Sequence, residues 1–250
     1  MFNSATTRLW GGLTNAAPWQ TMANSGIPDP SWAHVYHNDF DSYVTTDWTV
    51  TLVGLGTTAL AVGVDGGALL QTTTAGVADA IFNQLVQAGF KLIPGKSTYF
   101  KYTGLLSDVI NSVFYCGLLV KTATPLTPTD GLYILKATGV ASLSLVSVIG
   151  GVTTSTPFPA ACVLAAGVAF ELGLEVDYLG NIAAYWNPST GNNQLGLGTI
   201  PLTTSNRGRV ASLAGVAVTQ VVLSPSFGIL NSTAATRTLQ TDFITAVRER

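Results

Sequence analysis

The sequence has few charged residues. Aspartate, glutamate, lysine and arginine make up 10% of the chain, whereas they supply about a quarter of a typical soluble domain. Hydrophobic residues make up 47%, and a folded monomer normally keeps charged side chains on its surface. This surface must therefore be covered by threonine, serine, asparagine and glycine, or be partly buried against partner chains. The second alternative favours a homo-oligomer.

Basic clusters and long apolar runs are also missing. The formal net charge is −2, and the arginines near the C-terminus are interrupted by acidic residues. Binding to a phosphate backbone needs several clustered cations, so nucleic acid is not an expected partner. The longest apolar run, residues 160–170, is shorter than the ~20 residues of a membrane span. We therefore expect no membrane partner.

The N-terminal residues contain no apolar segment of the kind that directs secretion. A composition suited to an exposed protein is thus combined with no export signal. Proteins released by cell lysis fit this combination better than ordinary cytoplasmic proteins do. The sequence therefore favours a virion component that is assembled in the host cytoplasm.

Cysteine and histidine are scarce. Cys116 and Cys162 lie in apolar runs, where buried free thiols are the default, although the sequence leaves a disulfide open. His34 and His37 would have to supply any nucleophilic site, and no Gly-x-Ser-x-Gly sequence accompanies them. The glycine-rich segments lack the spacing of a phosphate-binding loop. We predict no cofactor.

Residues 1–34 predict an extended N-terminal arm in front of one domain at residues 35–250. The arm contains glycines and prolines and has neither strand nor helix periodicity. It nevertheless contains Trp10, Trp19 and Trp32, three of the five tryptophans. Disordered tails are poor in aromatic residues, and tryptophans often anchor interfaces. These residues are the predicted partner-binding anchors.

From Trp48 onward, the sequence alternates between apolar and polar residues as β-strands do. The clearest example is residues 168–176. Residues 65–67, Asp-Gly-Gly, indicate a hairpin, and residues 77–86 fit a strand better than a helix in these surroundings. The pattern predicts an all-β antiparallel β-sandwich or jelly roll. The predicted strands are residues 48–52, 60–64, 68–74, 77–86, 97–105, 112–121, 131–138, 142–149, 168–176, 182–186, 216–223 and 238–247.

Several segments resemble concanavalin A-like, or laminin G-type, sandwich domains. Residues 38–41 (Asn-Asp-Phe-Asp) followed by Trp48 are similar to the opening of that fold, and residues 170–187 and 237–244 are similar to its strand pairs. The order of the parts resembles that of phage virion proteins of this fold. Those parts are residues 93–102, 114–121, 130–139, 223–231 and 242–250.

The resemblance covers about residues 38–250 and leaves the arm outside. It implies a concanavalin A-like jelly roll in a phage particle, as a head decoration or cement protein. The implied partners are the major capsid protein or other virion proteins, which the arm and one sandwich surface would bind.

Glu171, Gly173 and Glu175 form the most enzyme-like motif. Laminarinase-type glycoside hydrolases of this fold use Glu-x-Asp-x-Glu on one strand, so that the carboxylates share a face and flank one glycosidic bond. Here Gly173 replaces the aspartate that would orient the nucleophile, and Asp177 begins a turn. A half-exposed strand with a polar outer face explains the motif better. We therefore predict no catalytic residue and no enzyme.

A metal site is not predicted at His34, His37, Asp39 and Asp41, although these residue types bind metals. In an extended chain, His34 and His37 point to opposite faces. A polar junction between the arm and the first strand accounts for the motif more simply.

The alternative function is carbohydrate binding, as in a tail fibre that recognises a host glycan. Concanavalin-like sandwiches often bind sugars through exposed aromatic residues and a set of Asp and Asn side chains. Tyr185, Trp186 and Asn187, near a strand end, are the candidates for such a glycan site. The same residues would equally close a hairpin.

Overall fold

The computed structural model describes residues 33–64, 66–87, 89–93, 95–188, 208–213 and 221–250. These residues form two antiparallel sheets and one short 3₁₀ helix, Thr45–Asp47. No helix within these ranges is long and apolar enough to cross a membrane. The strands are β1 (Ala33–Asn38), β2 (Trp48–Val53), β3 (Thr57–Leu60), β4 (Leu69–Thr72), β5 (Ala80–Leu85), β6 (Thr98–Leu106), β7 (Ser112–Leu119), β8 (Gly131–Lys136), β9 (Leu143–Ile149), β10 (Val152–Pro157), β11 (Ala169–Val176), β12 (Ile182–Pro188), β13 (Gly208–Leu213), β14 (Ser224–Asn231) and β15 (Thr238–Glu249).

The two sheets have eight and seven strands. The order in the first is β13-β12-β11-β6-β15-β4-β3, and the order in the second is β10-β9-β8-β7-β14-β5-β2. β1 joins the first sheet beside β4, because β15 is long enough to pair with β4 through residues 238–241 and with β1 through residues 244–249. The prediction of an all-β antiparallel sandwich is confirmed.

The core lies between the sheets and is rich in aromatic rings. Trp48 packs edge-on against Phe227 with 5.3 Å between ring centroids, and Phe114 packs against Phe170 at the same distance. Such pairs add to the hydrophobic gain from burial. Phe40 is completely buried although its φ is 55°. Burial of its ring therefore holds the backbone in a conformation that phenylalanine rarely adopts.

Most predicted strands are present, and the ambiguous segment at residues 77–86 contains β5, whose residues are all buried. The prediction for residues 60–64 is wrong, because β3 ends at Leu60 and Val62 lies fully exposed in a turn. Of the strand predicted at residues 216–223, residues 216–220 lie outside the described residues, and residues 221–223 precede β14, which begins at Ser224. Pro225 is accommodated in β14 because pairing with β5 begins only at Ser226.

Four strands were not predicted: β1, β10, β13 and β14. β1 begins at Ala33, within the segment assigned to the arm, and pairs with β15. β10 consists largely of threonine and serine, so it shows no apolar alternation. These segments become strands because they pair with residues far away in the sequence, and the local sequence pattern does not reveal that pairing.

Candidate functional site

The outer face of the eight-stranded sheet around β11 is the main candidate site. Phe170, Leu172, Leu174 and Val176 point into the core, which confirms the predicted alternation. Glu171, Gly173 and Glu175 therefore lie on the outer face. Gly173 pairs with Lys101 of β6 on one side and with Tyr185 of β12 on the other. We call the outer-face side chains of Lys101, Glu171, Glu175, Tyr185 and Phe243 the outer strip.

Glu171 forms an ion pair within the outer strip. Its Oε2 lies 3.0 Å from the Nζ of Lys101, and both side chains are partly exposed. The same Nζ lies 5.1 Å from the centroid of the Phe243 ring, within the range of a cation–π contact. A partly exposed pair contributes at most about 1 kcal/mol to stability. Its main effect is to fix the positions of both charged groups.

Glu175 is hydrogen-bonded by a side chain of the neighbouring strand, β12. The hydroxyl of Tyr185 donates a hydrogen bond to Glu175 Oε2. Both carboxylates of β11 are thus engaged by neighbouring side chains, and the position between them has no side chain. Retaining and inverting glycosidases need one carboxyl group as acid and another as nucleophile or base, flanking the scissile bond. The outer strip is better suited to holding a polar ligand than to this chemistry.

Trp186 does not lie in the outer strip. Its side chain is 3% exposed and belongs to the core cluster between the sheets, so it offers no stacking surface to solvent. Tyr185 faces the other way, as neighbouring residues of a strand must. The predicted trio therefore does not form one exposed group, and the side chain of Asn187 lies outside the description. The alternation along the strand indicates that Trp186 is buried, because it shares its face with the apolar residues Ile182 and Ala184.

The two histidines lie on opposite faces of β1. Nδ1 of His37 is 2.7 Å from the hydroxyl oxygen of Thr245. The ring of His34 packs 4.7 Å from that of Phe90, and burial, followed by the charge of Arg248, lowers the pKa of His34. Within the described ranges, no three histidine, cysteine or acidic side chains group closely enough to hold a metal ion.

Asp39, which follows the two histidines in sequence, influences the pKa of Asp242. Asp242 lies in β15 at a register shift between Thr241 and Phe243. Burial, and then the negative charge of Asp39, raise the pKa of Asp242 to about 6. A carboxyl whose folded pKa is raised binds protons more tightly when folded. Asp242 therefore costs stability at neutral pH, and this cost disappears as the pH falls below about 4.

The remaining sequence predictions have different outcomes. Cys116 and Cys162 are both buried free thiols, and burial raises the pKa of each. The default expectation for the cysteines is confirmed. Trp10, Trp19 and Trp32 lie outside the described residues, so their role as partner-binding anchors stays a prediction.

One surface was missed: residues 48–64, which contain β2 and β3 and which we call the β2–β3 edge. β2 is the last strand of the seven-stranded sheet and β3 is the last strand of the eight-stranded sheet. Leu55 is 82% exposed and Val62 is 100% exposed. Leu52, Val53 and Leu60 are also apolar and exposed. No charged residue occurs in residues 48–64. That absence is the signal that would have identified the surface.

Asn231 has a structural role, although Asn231, Ser232 and Thr233 match a glycosylation sequon. Its side chain is fully buried. Its Nδ2 donates to the carbonyl oxygens of Thr74, at 2.7 Å, and Ala235, at 2.9 Å. Its Oδ1 accepts a 2.8 Å hydrogen bond from the hydroxyl of Thr73. The amide thus joins two chain segments and is not available for modification in the folded protein.

Lys136 is a second buried polar residue whose burial the sequence does not predict. It is fully buried and its Nζ donates to the backbone carbonyl of Ser112. Burial lowers its pKa to about 8, although the charge of Asp108 opposes this effect. Burying an ammonium group is costly, and hydrogen bonds to the carbonyl and, at 3.3 Å, the hydroxyl of Ser112 offset part of that cost.

Comparison with known proteins gives the fold and not the activity. No protein-family model and no curated protein matches the chain. A protein of unknown function from Shewanella oneidensis MR-1 has a similar structure, with a TM-score of 0.59 and 9% identity over 94% of this chain and 95% of that one. An endo-1,3-β-glucanase from Streptomyces sioyaensis has a TM-score of 0.55 and 11% identity over 89% and 98% of the two chains.

A third similar structure is the CBM2 module of an evolved Dit protein from Lactobacillus casei BL23 phage J-1. Its TM-score is 0.52, with 9% identity over 86% of this chain and 96% of that one. Peanut lectin and a carbohydrate recognition domain of Emp47p share the fold as well. Lectin-type modules thus predominate among these structures, and one of them is an enzyme. The chain folds as a concanavalin A-like antiparallel β-sandwich.

Proposed function

We propose that this chain is a structural virion protein of a phage, a head decoration protein that binds other protein chains and performs no catalysis. The β2–β3 edge is the observation that carries the proposal. Its most exposed apolar side chains, Leu55 and Val62, lie in the connections on either side of β3, next to the last strand of each sheet. Exposed apolar surface that is free of charge marks protein interaction sites.

Three further features support the proposal. The chain has few charged residues overall, as expected for a protein with much of its surface covered by partners. Gly173 leaves no side chain between the two carboxylates of β11 to orient a nucleophile, which disfavours glycoside hydrolysis. A module of a phage Dit protein has the same fold, so a phage particle is a compatible setting. The arm, with its tryptophans, supplies the contact to the capsid lattice.

The proposal is tested by co-sedimentation with purified phage heads and, separately, with tails. We expect the wild-type chain to sediment with heads. Replacing Trp10, Trp19 and Trp32 together with alanine should abolish this association, because aromatic anchors contribute most of an interface's free energy. The control is Tyr178→Ala, which removes an aromatic ring that is 47% exposed outside the arm. Undiminished binding of the triple variant would contradict a role for the arm, and sedimentation with tails alone would contradict head decoration.

Carbohydrate binding is the second candidate function, and the outer strip favours it. A lysine, two carboxylates and a phenol lie together on one sheet face, and sugars are bound by such hydrogen-bonding groups beside aromatic rings. Lectin-type domains of this fold include peanut lectin. The ligand would lie across β6, β11 and β12 and contact the side chains around Gly173, which is itself buried at the centre of the strip.

A glycan array tests this candidate. If a glycan binds, Tyr185→Ala and Lys101→Ala should each weaken binding by on the order of tenfold or more, because each removes a hydrogen-bonding group from the strip. Leu179→Ala is the control, since this side chain is 69% exposed in the turn between β11 and β12. Equal losses in all three variants, or no bound glycan, would rule out the strip as a sugar site.

A further inference from the structure

We infer that the β2–β3 edge pairs with the same edge of a second copy of this chain around a two-fold axis. The inference rests on the proposed function, because it names the partner of the surface on which that function was based. It concerns association between copies, whereas attachment to the capsid lattice is assigned to the arm.

Both sheets end on the same side of the sandwich. Within the described residues, β2 pairs with β5 and β3 pairs with β4, and each is the last strand of its sheet. Residues 54–56 join the two strands, and the four residue steps from Val53 to Thr57 span at most about 14 Å, which is enough to cross the ~10 Å between two packed sheets. The last strands of both sheets are therefore adjacent, and one partner can meet both.

This edge lacks the features with which soluble proteins protect a sheet edge. Lysine, proline and β-bulges commonly block pairing with another chain. Residues 48–64 contain no charged residue and no proline, and the registers of β2 with β5 and of β3 with β4 have no shift. The opposite ends of the sheets differ, because β13 contains Arg209 and β10 ends at Pro157.

A second copy is the partner that these features fit best. Two copies of one edge strand can always pair in antiparallel fashion around a two-fold axis, which makes the interface isologous. That axis brings equal charges together, so any charged residue near it would repel its own copy. Residues 48–64 carry no charge themselves, and the Asp79 carboxylate, which lies against Gly54, is engaged by the Thr74 hydroxyl and the Gly76 amide. Threonine and β-branched residues, which pair well across strands, make up much of β2.

The available surface sets the expected strength. A fully exposed leucine or valine offers on the order of 100 Å² of apolar surface. The exposed side chains of the β2–β3 edge therefore supply roughly 300 Å² per copy. Stable interfaces bury at least about 1,200 Å² in total. Half of this area must then come from backbone and threonine side chains of the paired strands, so we expect a dimer in the micromolar range.

The test is the molar mass of the purified full-length chain, measured by light scattering over a range of concentrations without phage particles. The chain mass is 26.0 kDa, so a dimer doubles it. The double variant Val53→Lys and Leu60→Lys introduces charges at positions that are 47% and 41% exposed. We expect it to weaken the dimer by on the order of a hundredfold, since like charges across the axis repel. Val152→Lys, at a site 71% exposed on β10, is the matched control and should leave the dimer intact.

Amide hydrogen exchange gives a second measurement that does not depend on hydrodynamic size. In the wild-type chain, protection of amides in β2 and β3 should rise with concentration, and in the double variant it should not. A wild-type chain that stays monomeric, or a double variant that dimerises as well as the control, would overturn the inference. Co-sedimentation with heads is a separate result, so a monomer that binds heads would reject the dimer and leave the proposed function in place.

Discussion

Replacing Trp186 with alanine is expected to lower the free energy of unfolding by about 3–5 kcal/mol, the usual range for removing a large buried aromatic side chain. The indole is 3% exposed and lies in the core cluster. Its removal leaves a cavity that a close-packed sandwich cannot fully collapse. Urea denaturation followed by tryptophan-independent circular dichroism measures the change.

Tyr185→Ala is the matched control for this experiment, because it removes the neighbouring aromatic residue from the outer face of the same strand. It removes the hydrogen bond to Glu175 and leaves the core packed, so we expect a smaller cost, on the order of 1 kcal/mol. Equal losses of stability in the two variants would show that Trp186 does not lie in the core. The comparison also shows which variant can test glycan binding. A change at Trp186 would alter binding through loss of folding, whereas a change at Tyr185 would act on the outer strip.

Replacing Asn231 with alanine is expected to lower the free energy of unfolding by about 3 kcal/mol or more. The substitution leaves the carbonyls of Thr74 and Ala235 without this donor, whereas the hydroxyl of Thr73 keeps its hydrogen bonds to the backbone of Arg237. Each buried polar group left unpaired costs about 1–3 kcal/mol. Thermal or urea denaturation measures the loss.

Thr233→Ala is the control for Asn231, because it destroys the same sequon while removing only an exposed hydrogen bond to Arg237. We expect its stability to change by less than about 1 kcal/mol. If both variants lost the same amount of stability, the network around Asn231 would not be the cause. If Asn231→Ala were neutral, the hydrogen bonds described here would not stabilise the fold.

Sequence patterns predicted the strands that carry a regular apolar face. β11 is the best example, since its alternating residues face the core and the outer strip as expected. Predictions failed where the local pattern was misleading. The alternation of Leu60 and Val62 continues past the end of β3, and Ser224 with Pro225 suggests a turn where β14 begins. Pairing with distant strands determines both where β3 ends and where β14 begins.

The sequence by itself determined the class of fold and the scarcity of catalytic groups. Alternation with a period of two and frequent turn residues specify strands, and few histidines and cysteines leave few nucleophilic or metal sites. The tertiary structure alone decided which strands become sheet edges and what each polar residue contacts. It placed β2 and β3 together at the ends of two sheets, buried Asn231 and Lys136, and engaged both glutamates of β11. These outcomes depend on contacts between residues far apart in the chain, which local periodicity does not encode.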